Sequence, residues 1–151
     1  MLSVFEYEPA WVSAVVVVCW LLACGGAAGA QAPTRTVWDG VYTEAQAADG
    51  KTAYQEACAA CHGENLQGVE AAPALAGPIF GSNWNGTTLN DLAERIRVSM
   101  PADAPGSLSR RSVAEVVAYL LQAGGFPPGE FLLDRQAAVL SQIRYVSQRP
   151  N

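Results

Sequence analysis

Residues 53–68, AYQEACAACHGENLQG, place two cysteines and a histidine within one short stretch, at Cys58, Cys61 and His62. Two thiols and an imidazole at this spacing can bind zinc, exchange a dithiol for a disulfide, or attach a haem. The chain has 151 residues, which is enough for one domain. The remaining residues must therefore decide among these chemistries.

The amino-terminal segment predicts export. Residues 11–30, WVSAVVVVCWLLACGGAAGA, form an apolar run that ends in Ala-Gly-Ala at residues 28–30, a pattern typical of a signal-peptide cleavage site. We expect residues 1–30 to be a signal peptide. Two alternatives stay open, a lipoprotein signal that is lipidated at Cys24 and an uncleaved anchor, since the run is long enough to span a bilayer. Each of them leaves the remaining chain outside the cytoplasmic membrane, and we expect the periplasm.

The charge balance argues against a nucleic-acid partner. The chain carries 14 acidic and 9 basic residues, and removal of residues 1–30 takes away only Glu6 and Glu8, which leaves 12 and 9. The mature part is mildly acidic and lacks the basic stripe that a nucleic-acid-binding surface would require.

The absence of basic residues before the apolar run departs from the usual start of a signal peptide.

Beyond residue 30, the regular patterns are helical and no stretch alternates as a strand would. Residues 31–42 have no periodicity and predict an extended arm. Thr43 caps the first helix, which carries Cys58 near its end. Residues 63–86 are interrupted by glycines and prolines and predict a loop region. This loop is rich in apolar side chains that we expect to wrap around a buried group, namely Leu66, Leu75, Ile79, Phe80 and Trp84.

Two further helices and a tail complete the predicted all-α fold. Thr88 caps a helix that ends near Ser99, and Ser109 caps an amphipathic helix that ends at Gly124 and Gly125. Residues 43–125 therefore form the predicted domain. Residues 126–151 are treated as a C-terminal extension, with a weaker helical pattern over 132–143.

Gly50 is unusual because a glycine inside a helix costs about 1 kcal/mol relative to alanine. We expect a second helix to cross the first at this position and to pack against Tyr54, which lies one turn later.

Scarcity of ligands weighs against zinc and dithiol chemistry. After residue 30 no other cysteine or histidine remains, so a zinc site would lack a fourth ligand unless a carboxylate completed it. A dithiol motif belongs at a helix start beside strands, whereas this pair lies at a helix end. A disulfide or two core cysteines would leave His62 and the apolar loop unexplained.

Cys-x-x-Cys-His is the attachment signature of a c-type haem, in which the thiols form thioethers and the histidine binds the iron. A sixth ligand must then come from elsewhere, and His62 is the only histidine. Met100 is the only methionine besides Met1; it lies 38 residues after His62 and directly before Pro101. We expect it to bind the iron; the alternative is a core methionine that fills a gap.

With these motifs, the chain resembles a monohaem class I cytochrome c over residues 43–125. The matching stretches are GKTAYQEACAACHG, PALAG, RIRVSMP and VVAYLLQAGG. The resemblance implies a class I cytochrome c fold around one covalent haem c, with the first and last helices crossing at Gly50 and Tyr54 against Tyr119. It further implies that the Pro73 carbonyl accepts a hydrogen bond from His62, and that Trp84 reaches a haem propionate or is a plain core residue.

The resemblance implies a periplasmic electron carrier rather than an enzyme. The arm and the phrase SMPADAPGSL are similar to bacterial cytochromes found beside quinoprotein dehydrogenases, so the expected partners are such a dehydrogenase and a terminal oxidase or another cytochrome. The alternative is a haem domain of a dehydrogenase or a peroxidase-like enzyme, in which Met100 leaves the iron.

Overall fold

A computed structural model describes residues 35–70 and 72–150. The expected export segment and residues 31–34 lie outside the described residues. The described helices and strands are β1 (Arg35–Thr36), α1 (Glu44–Ala57), α2 (Ala59–His62), α3 (Gly77–Trp84), α4 (Leu89–Ser99), α5 (Arg110–Ala123), α6 (Ala137–Leu140) and β2 (Ile143–Arg144). Helices dominate, which confirms the predicted fold class, although β1 and β2 pair in parallel as a two-stranded sheet. Within these ranges no helix combines the length and apolar character needed to cross a membrane.

The predicted helix starts are confirmed. They were predictable because each depends on a hydrogen bond between residues close together in the sequence. The side chains of Thr43, Thr88 and Ser109 each accept a backbone N–H in the first turn of α1, α4 and α5. In α4, Asp91 completes a capping box by accepting a hydrogen bond from the Thr88 N–H at 2.7 Å. These caps satisfy N–H groups that have no partner inside the helix.

The loop prediction for residues 63–86 is wrong for α3. Pro78 lies in the first turn of this helix, where its missing N–H breaks no helical hydrogen bond. Gly77 has a φ of 84°, a left-handed value that glycine adopts without steric cost. The predicted helix over 132–143 is also too long, since only α6 (Ala137–Leu140) is helical there.

Helices α1 and α5 cross at Gly50, as predicted. A Cβ atom at Gly50 would lie only 1.8 Å from the Glu115 carbonyl oxygen of α5, so no larger residue fits without separating the helices. Beside the crossing, the Tyr54 and Tyr119 rings contact each other with centroids 5.4 Å apart. This contact positions the end of α1, which carries Cys58.

The two ends of the described chain fold together instead of remaining an arm and a tail. The Tyr42 hydroxyl donates to the Phe126 carbonyl at 2.6 Å, and the Trp38 indole N–H donates to the Val146 carbonyl at 2.8 Å. We call residues 35–42 and 126–146 the terminal clasp. These partners are far apart in sequence and follow no periodic pattern, so the sequence alone does not predict their pairing.

Aromatic contacts form the centre of the terminal clasp. Phe126 contacts Trp38 and Tyr145, with ring centroids 4.8 and 5.3 Å away, and Tyr145 also contacts Phe80 of α3 at 6.3 Å. Val37 is fully buried and Leu140 is 4 % exposed, so both halves of the clasp belong to the hydrophobic core.

Candidate haem site

Helix α1 ends at the first cysteine of the motif, and α2 supplies the rest in a single turn. The Cys58 N–H donates to the Tyr54 carbonyl at 2.8 Å, and the His62 N–H donates to the Cys58 carbonyl at 2.9 Å. Cys58 is half-buried and Cys61 is exposed, and both are free thiols. The motif is therefore held as a short helical turn at the surface of the core.

The imidazole of His62 is buried and oriented by one hydrogen bond. The side chain is 8 % exposed, and its Nδ1 lies 2.8 Å from the Pro73 carbonyl oxygen. Because a carbonyl oxygen only accepts hydrogen bonds, Nδ1 carries the proton and donates it. In the neutral imidazole with this hydrogen bond, Nε2 has the lone pair, and this tautomer is the form of histidine that binds a metal through Nε2.

The loop after the motif brings Pro73 to the histidine. The Gly68 N–H donates to the His62 carbonyl at 2.8 Å, and the Leu75 N–H donates to the Leu66 carbonyl at 2.9 Å. A Cβ atom at Gly68 would lie 2.7 Å from the Ala72 oxygen, so the backbone passes itself closely at this point. The loop is thereby folded back over His62.

Tyr54 has a second role that the sequence pattern did not reveal. Its hydroxyl donates to the Gly63 carbonyl at 2.6 Å and so fixes the backbone directly after His62. Burial, followed by the charges of Cys58 and Tyr119, raises the pKa of Tyr54 to about 12, so the hydroxyl keeps its proton and remains a donor at neutral pH. The only sequence feature that could have indicated this hydrogen bond is the presence of a tyrosine, rather than a phenylalanine, at a buried packing position.

Met100 and Trp84 lie at the edge of the same core as Cys58. Met100 directly follows α4 as its C-cap, and its N–H donates to the Ile96 carbonyl at 2.9 Å. Trp84 ends α3 and is half-buried, with its ring centroid 6.2 Å from that of Phe80. A hydrogen bond joins His62 to Pro73, whereas Met100 and Trp84 share with Cys58 only their packing against the core.

The side chains around the motif fit an apolar macrocycle. Several apolar residues pack against the core while remaining partly exposed, among them Cys58, Ala59, Leu75, Ala76, Met100 and Leu108. Burial and then the neighbouring Cys61 raise the pKa of the Cys58 thiol, as expected in an apolar environment. Two free thiols and a buried imidazole in one helical turn, on a core with partly exposed apolar residues, suit a covalently attached haem.

The apolar loop covers this surface in part. Leu66 is 3 % exposed and Phe80 7 %, whereas Ile79 remains 75 % exposed. Leu75 and Trp84 are half-buried, and the wrapping of this loop around a buried group stays a prediction. Across residues 35–70 and 72–150, no three His, Cys, Asp or Glu side chains gather into a metal-binding cluster.

Comparison with known proteins identifies the family. The family model described as cytochrome C oxidase, cbb3-type, subunit III matches residues 45–120, which span α1 to most of α5. With the helical fold and the attachment motif, this match shows that the chain belongs to that family and to the monohaem class I c-type cytochromes. Covalently bound haem c and haem-based electron transfer follow from membership of this family.

Three curated relatives support the assignment. The chain is 43 % identical over 81 residues to cytochrome c-551 of Bacillus subtilis (strain 168), an alignment that covers 54 % of this chain and 67 % of the relative. It is 38 % identical over 79 residues to the thiosulfate dehydrogenase of Stutzerimonas stutzeri (strain A1501), covering 48 % and 26 %. It is 53 % identical over 45 residues to the cbb3-type cytochrome c oxidase subunit CcoP of Azospirillum brasilense, covering 28 % and 15 %.

The chain thus spans about a quarter of the thiosulfate dehydrogenase and a smaller share of the oxidase subunit. No solved structure gave a significant match.

Proposed function

We propose that the protein is a periplasmic electron carrier with one haem c. Cys58 and Cys61 would form the two thioethers, and His62 and Met100 would bind the iron. The observation that carries this proposal is the hydrogen bond from His62 Nδ1 to the Pro73 carbonyl at 2.8 Å, because it leaves Nε2 free on a buried imidazole.

The protein residues hold the group and exclude water from it. When bound, haem c supplies a one-electron couple between ferrous and ferric iron. Pro73 orients the histidine, and the thioether sulfur of Met100, a soft neutral ligand, favours the ferrous state. Trp84, at the end of α3, is the proposed neighbour of a haem propionate. Residues 43–125 form the haem-binding part.

A carrier is favoured over an enzyme by the ligand set. With His62 and Met100 both bound to the iron, no position would be left there for a substrate. His62 is the only histidine in the sequence, so a second imidazole is missing as a distal acid-base group.

The partners and the location are inferred from the sequence and the names of relatives. One relative is a thiosulfate dehydrogenase and another is an oxidase subunit. We therefore propose a dehydrogenase, such as a quinoprotein dehydrogenase, as the electron donor and a terminal oxidase or another cytochrome as the acceptor. Residues 1–30 direct export and are cleaved, lipidated at Cys24 or retained as a tether. The mass of the mature amino terminus distinguishes these three fates.

The second candidate function is a haem subunit or domain of a dehydrogenase or peroxidase-like enzyme. The observation that favours it is the match to 26 % of the thiosulfate dehydrogenase, where a similar segment forms part of a larger protein. In this case Met100 would leave the iron during turnover.

The proposal is tested by coexpression with the haem-attachment machinery. We expect haem that survives acid-acetone extraction in the wild type and is lost in the Cys58→Ala/Cys61→Ala variant. The ferric protein should show the near-infrared sulfur-to-iron band. Colourless wild-type protein would remove the haem assignment, and a ferric spectrum without that band would favour the second candidate.

A further inference from the structure

A cleft lined by arginines opens between the start of α5 and α6. Its volume is about 580 Å³, and it is lined by Ser109, Arg110, Arg111, Arg135, Gln136, Ala137 and Ala138. We call it the arginine cleft. Three guanidinium groups and no carboxylate line it, although acidic residues outnumber basic ones in the chain by 14 to 9. The local charge is therefore opposite to that of the whole chain.

Within the described part of the chain, carboxylates beside the arginine cleft form ion pairs with Arg110 and Arg111 but not with Arg135. Glu94 pairs with Arg97 at 2.6 Å and with Arg110 at 3.4 Å. These arginines lower the pKa of Glu94, mainly through the hydrogen bond from Arg97, so this carboxylate stays ionised. Arg135 faces the same small cavity as Glu94, Arg97 and Arg110.

Three more carboxylates lie near the cleft. Glu115 pairs with Arg111 at 2.7 Å, the charge of Asp49 also acts on Arg111, and Asp134 accepts a hydrogen bond from the Gln136 N–H at 2.7 Å. Arg97, Arg110 and Arg111 are thus paired, whereas the described residues give Arg135 no ion pair. The guanidinium of Arg135 is therefore the charge of the cleft that a ligand from outside can pair with.

The arginines are too exposed to form a closed site for a small anion. The side chains of Arg110 and Arg111 are 55 % and 72 % exposed, and Arg135 is exposed as well. Solvated charges of this kind steer and orient an approaching partner more than they strengthen binding, and their effect falls with salt. A weak, orienting surface suits a protein that must release its partner after each electron.

We propose that the arginine cleft is the docking surface for a carboxylate-rich face of a redox protein partner. This proposal rests on the electron-carrier function proposed above. Guanidinium groups match carboxylates in geometry and can bind them through two parallel hydrogen bonds. The expected interface is small, under about 1,200 Å² in total, as in other transient electron-transfer pairs.

Binding of a hexaglutamate peptide to the haem-loaded chain tests the docking surface. We compare Arg110→Gln/Arg111→Gln/Arg135→Gln with a control triple, Arg35→Gln/Lys51→Gln/Arg149→Gln, which removes the same charge from exposed positions elsewhere. Calorimetric titration at low ionic strength should show the peptide Kd rising at least about tenfold in the cleft triple and changing little in the control. The haem spectrum and melting midpoint show that both variants are folded.

Two results would overturn the docking proposal. Equal loss of binding in both triples would show a net-charge effect without a defined surface. Inorganic pyrophosphate binding as tightly as the peptide at equal ionic strength would show a small-oxyanion site. Voltammetry on an electrode needs no protein partner and tests the carrier function separately. A missing one-electron wave would contradict the carrier function. A normal wave together with peptide binding that does not depend on the cleft arginines would contradict the docking surface alone.

Discussion

Gln46 and Leu133 are joined by two hydrogen bonds although they are 87 residues apart in sequence. Gln46 Nε2 donates to the Leu133 carbonyl at 3.0 Å, and the Leu133 N–H donates to Gln46 Oε1 at 2.7 Å. The side-chain amide thus satisfies both backbone groups of one buried residue. It ties the first turn of α1 to the terminal clasp.

Replacing Gln46 with alanine should destabilise the protein by about 2–4 kcal/mol, because two buried backbone groups of Leu133 would lose their partners. Gln55→Ala, on the exposed face of the same helix, is the matched control and should change stability by less than about 0.5 kcal/mol. Urea unfolding followed by tryptophan fluorescence measures both. Equal losses would mean that the Gln46 hydrogen bonds add nothing specific.

Two helical glycines should respond to alanine in opposite directions. At Gly50 the added Cβ would meet the Glu115 carbonyl at 1.8 Å, so Gly50→Ala should cost about 3 kcal/mol or more. At Gly81 in α3 the nearest atom is Ser147 Cβ at 3.5 Å, an ordinary contact, so Gly81→Ala should stabilise by about 0.5–1 kcal/mol. Thermal melts of both variants check the signs, and a tolerated Gly50→Ala would contradict the close crossing.

Two phenylalanines of the C-terminal region distinguish a packed clasp from a loose tail. Phe126 is 4 % exposed and Phe131 is 75 % exposed. Phe126→Ala should cost about 3–5 kcal/mol through the cavity it leaves, whereas Phe131→Ala should cost less than about 0.5 kcal/mol. Chemical denaturation of the two variants is the measurement. A small effect at both positions would show that residues 126–146 contribute little to stability.

Stability should fall at alkaline pH, in part because of Tyr54. Its pKa is raised from 10.0 to about 12 in the folded protein, and burial also raises the pKa of Tyr42 and Tyr145. Below pH 10 Tyr54 keeps its proton in both the folded and the unfolded protein, and its contribution to stability is fully present. Above pH 10 the unfolded chain loses the proton first, so the free energy of unfolding decreases towards pH 12.

The free energy of unfolding of the Tyr54→Phe variant should therefore decline less steeply above pH 10 than that of the wild type. At neutral pH the variant should be less stable by about 1–2 kcal/mol, because the Gly63 carbonyl loses its donor. Tyr119→Phe, which keeps the ring beside Tyr54, is the control and should retain most of the alkaline decline. Denaturant titrations at several pH values test this, and parallel pH profiles for wild type and Tyr54→Phe would refute it.

Met100→Ala should open one axial position of the iron. We expect loss of the near-infrared sulfur-to-iron band, binding of small ligands such as imidazole, and a reduction potential lower by on the order of 0.1 V. Val98→Ala, at an exposed residue in the last turn of α4, should leave all three properties unchanged. An unaltered spectrum in Met100→Ala would assign the sixth ligand to another residue.

Sequence patterns predicted the features that depend on neighbours in the chain. The caps at Thr43, Thr88 and Ser109 act within one turn. The crossing at Gly50 was also predictable, since a glycine in an amphipathic helix has a cost that close approach explains. For the site, the attachment motif named Cys58 and His62 directly.

The features that sequence patterns missed depend on distant residues. The parallel pairing of Thr36 with Arg144 involves strands of two residues, too short for any alternation to show. Tyr54 both packs against the core and donates a hydrogen bond to the Gly63 carbonyl. A phenylalanine would have the same packing role, so the sequence pattern predicts the packing but not the hydrogen bond. In α3, proline was taken as a helix breaker although it stands in the first turn, where it is tolerated.

The terminal clasp also sets an order of events in time. Trp38 donates to the carbonyl of Val146, 108 residues later, and so has no partner until almost the whole chain is present. During synthesis, which starts at the amino terminus, residues 58–62 emerge long before Val146. The attachment motif therefore passes through a period in which it is accessible and the clasp is still open.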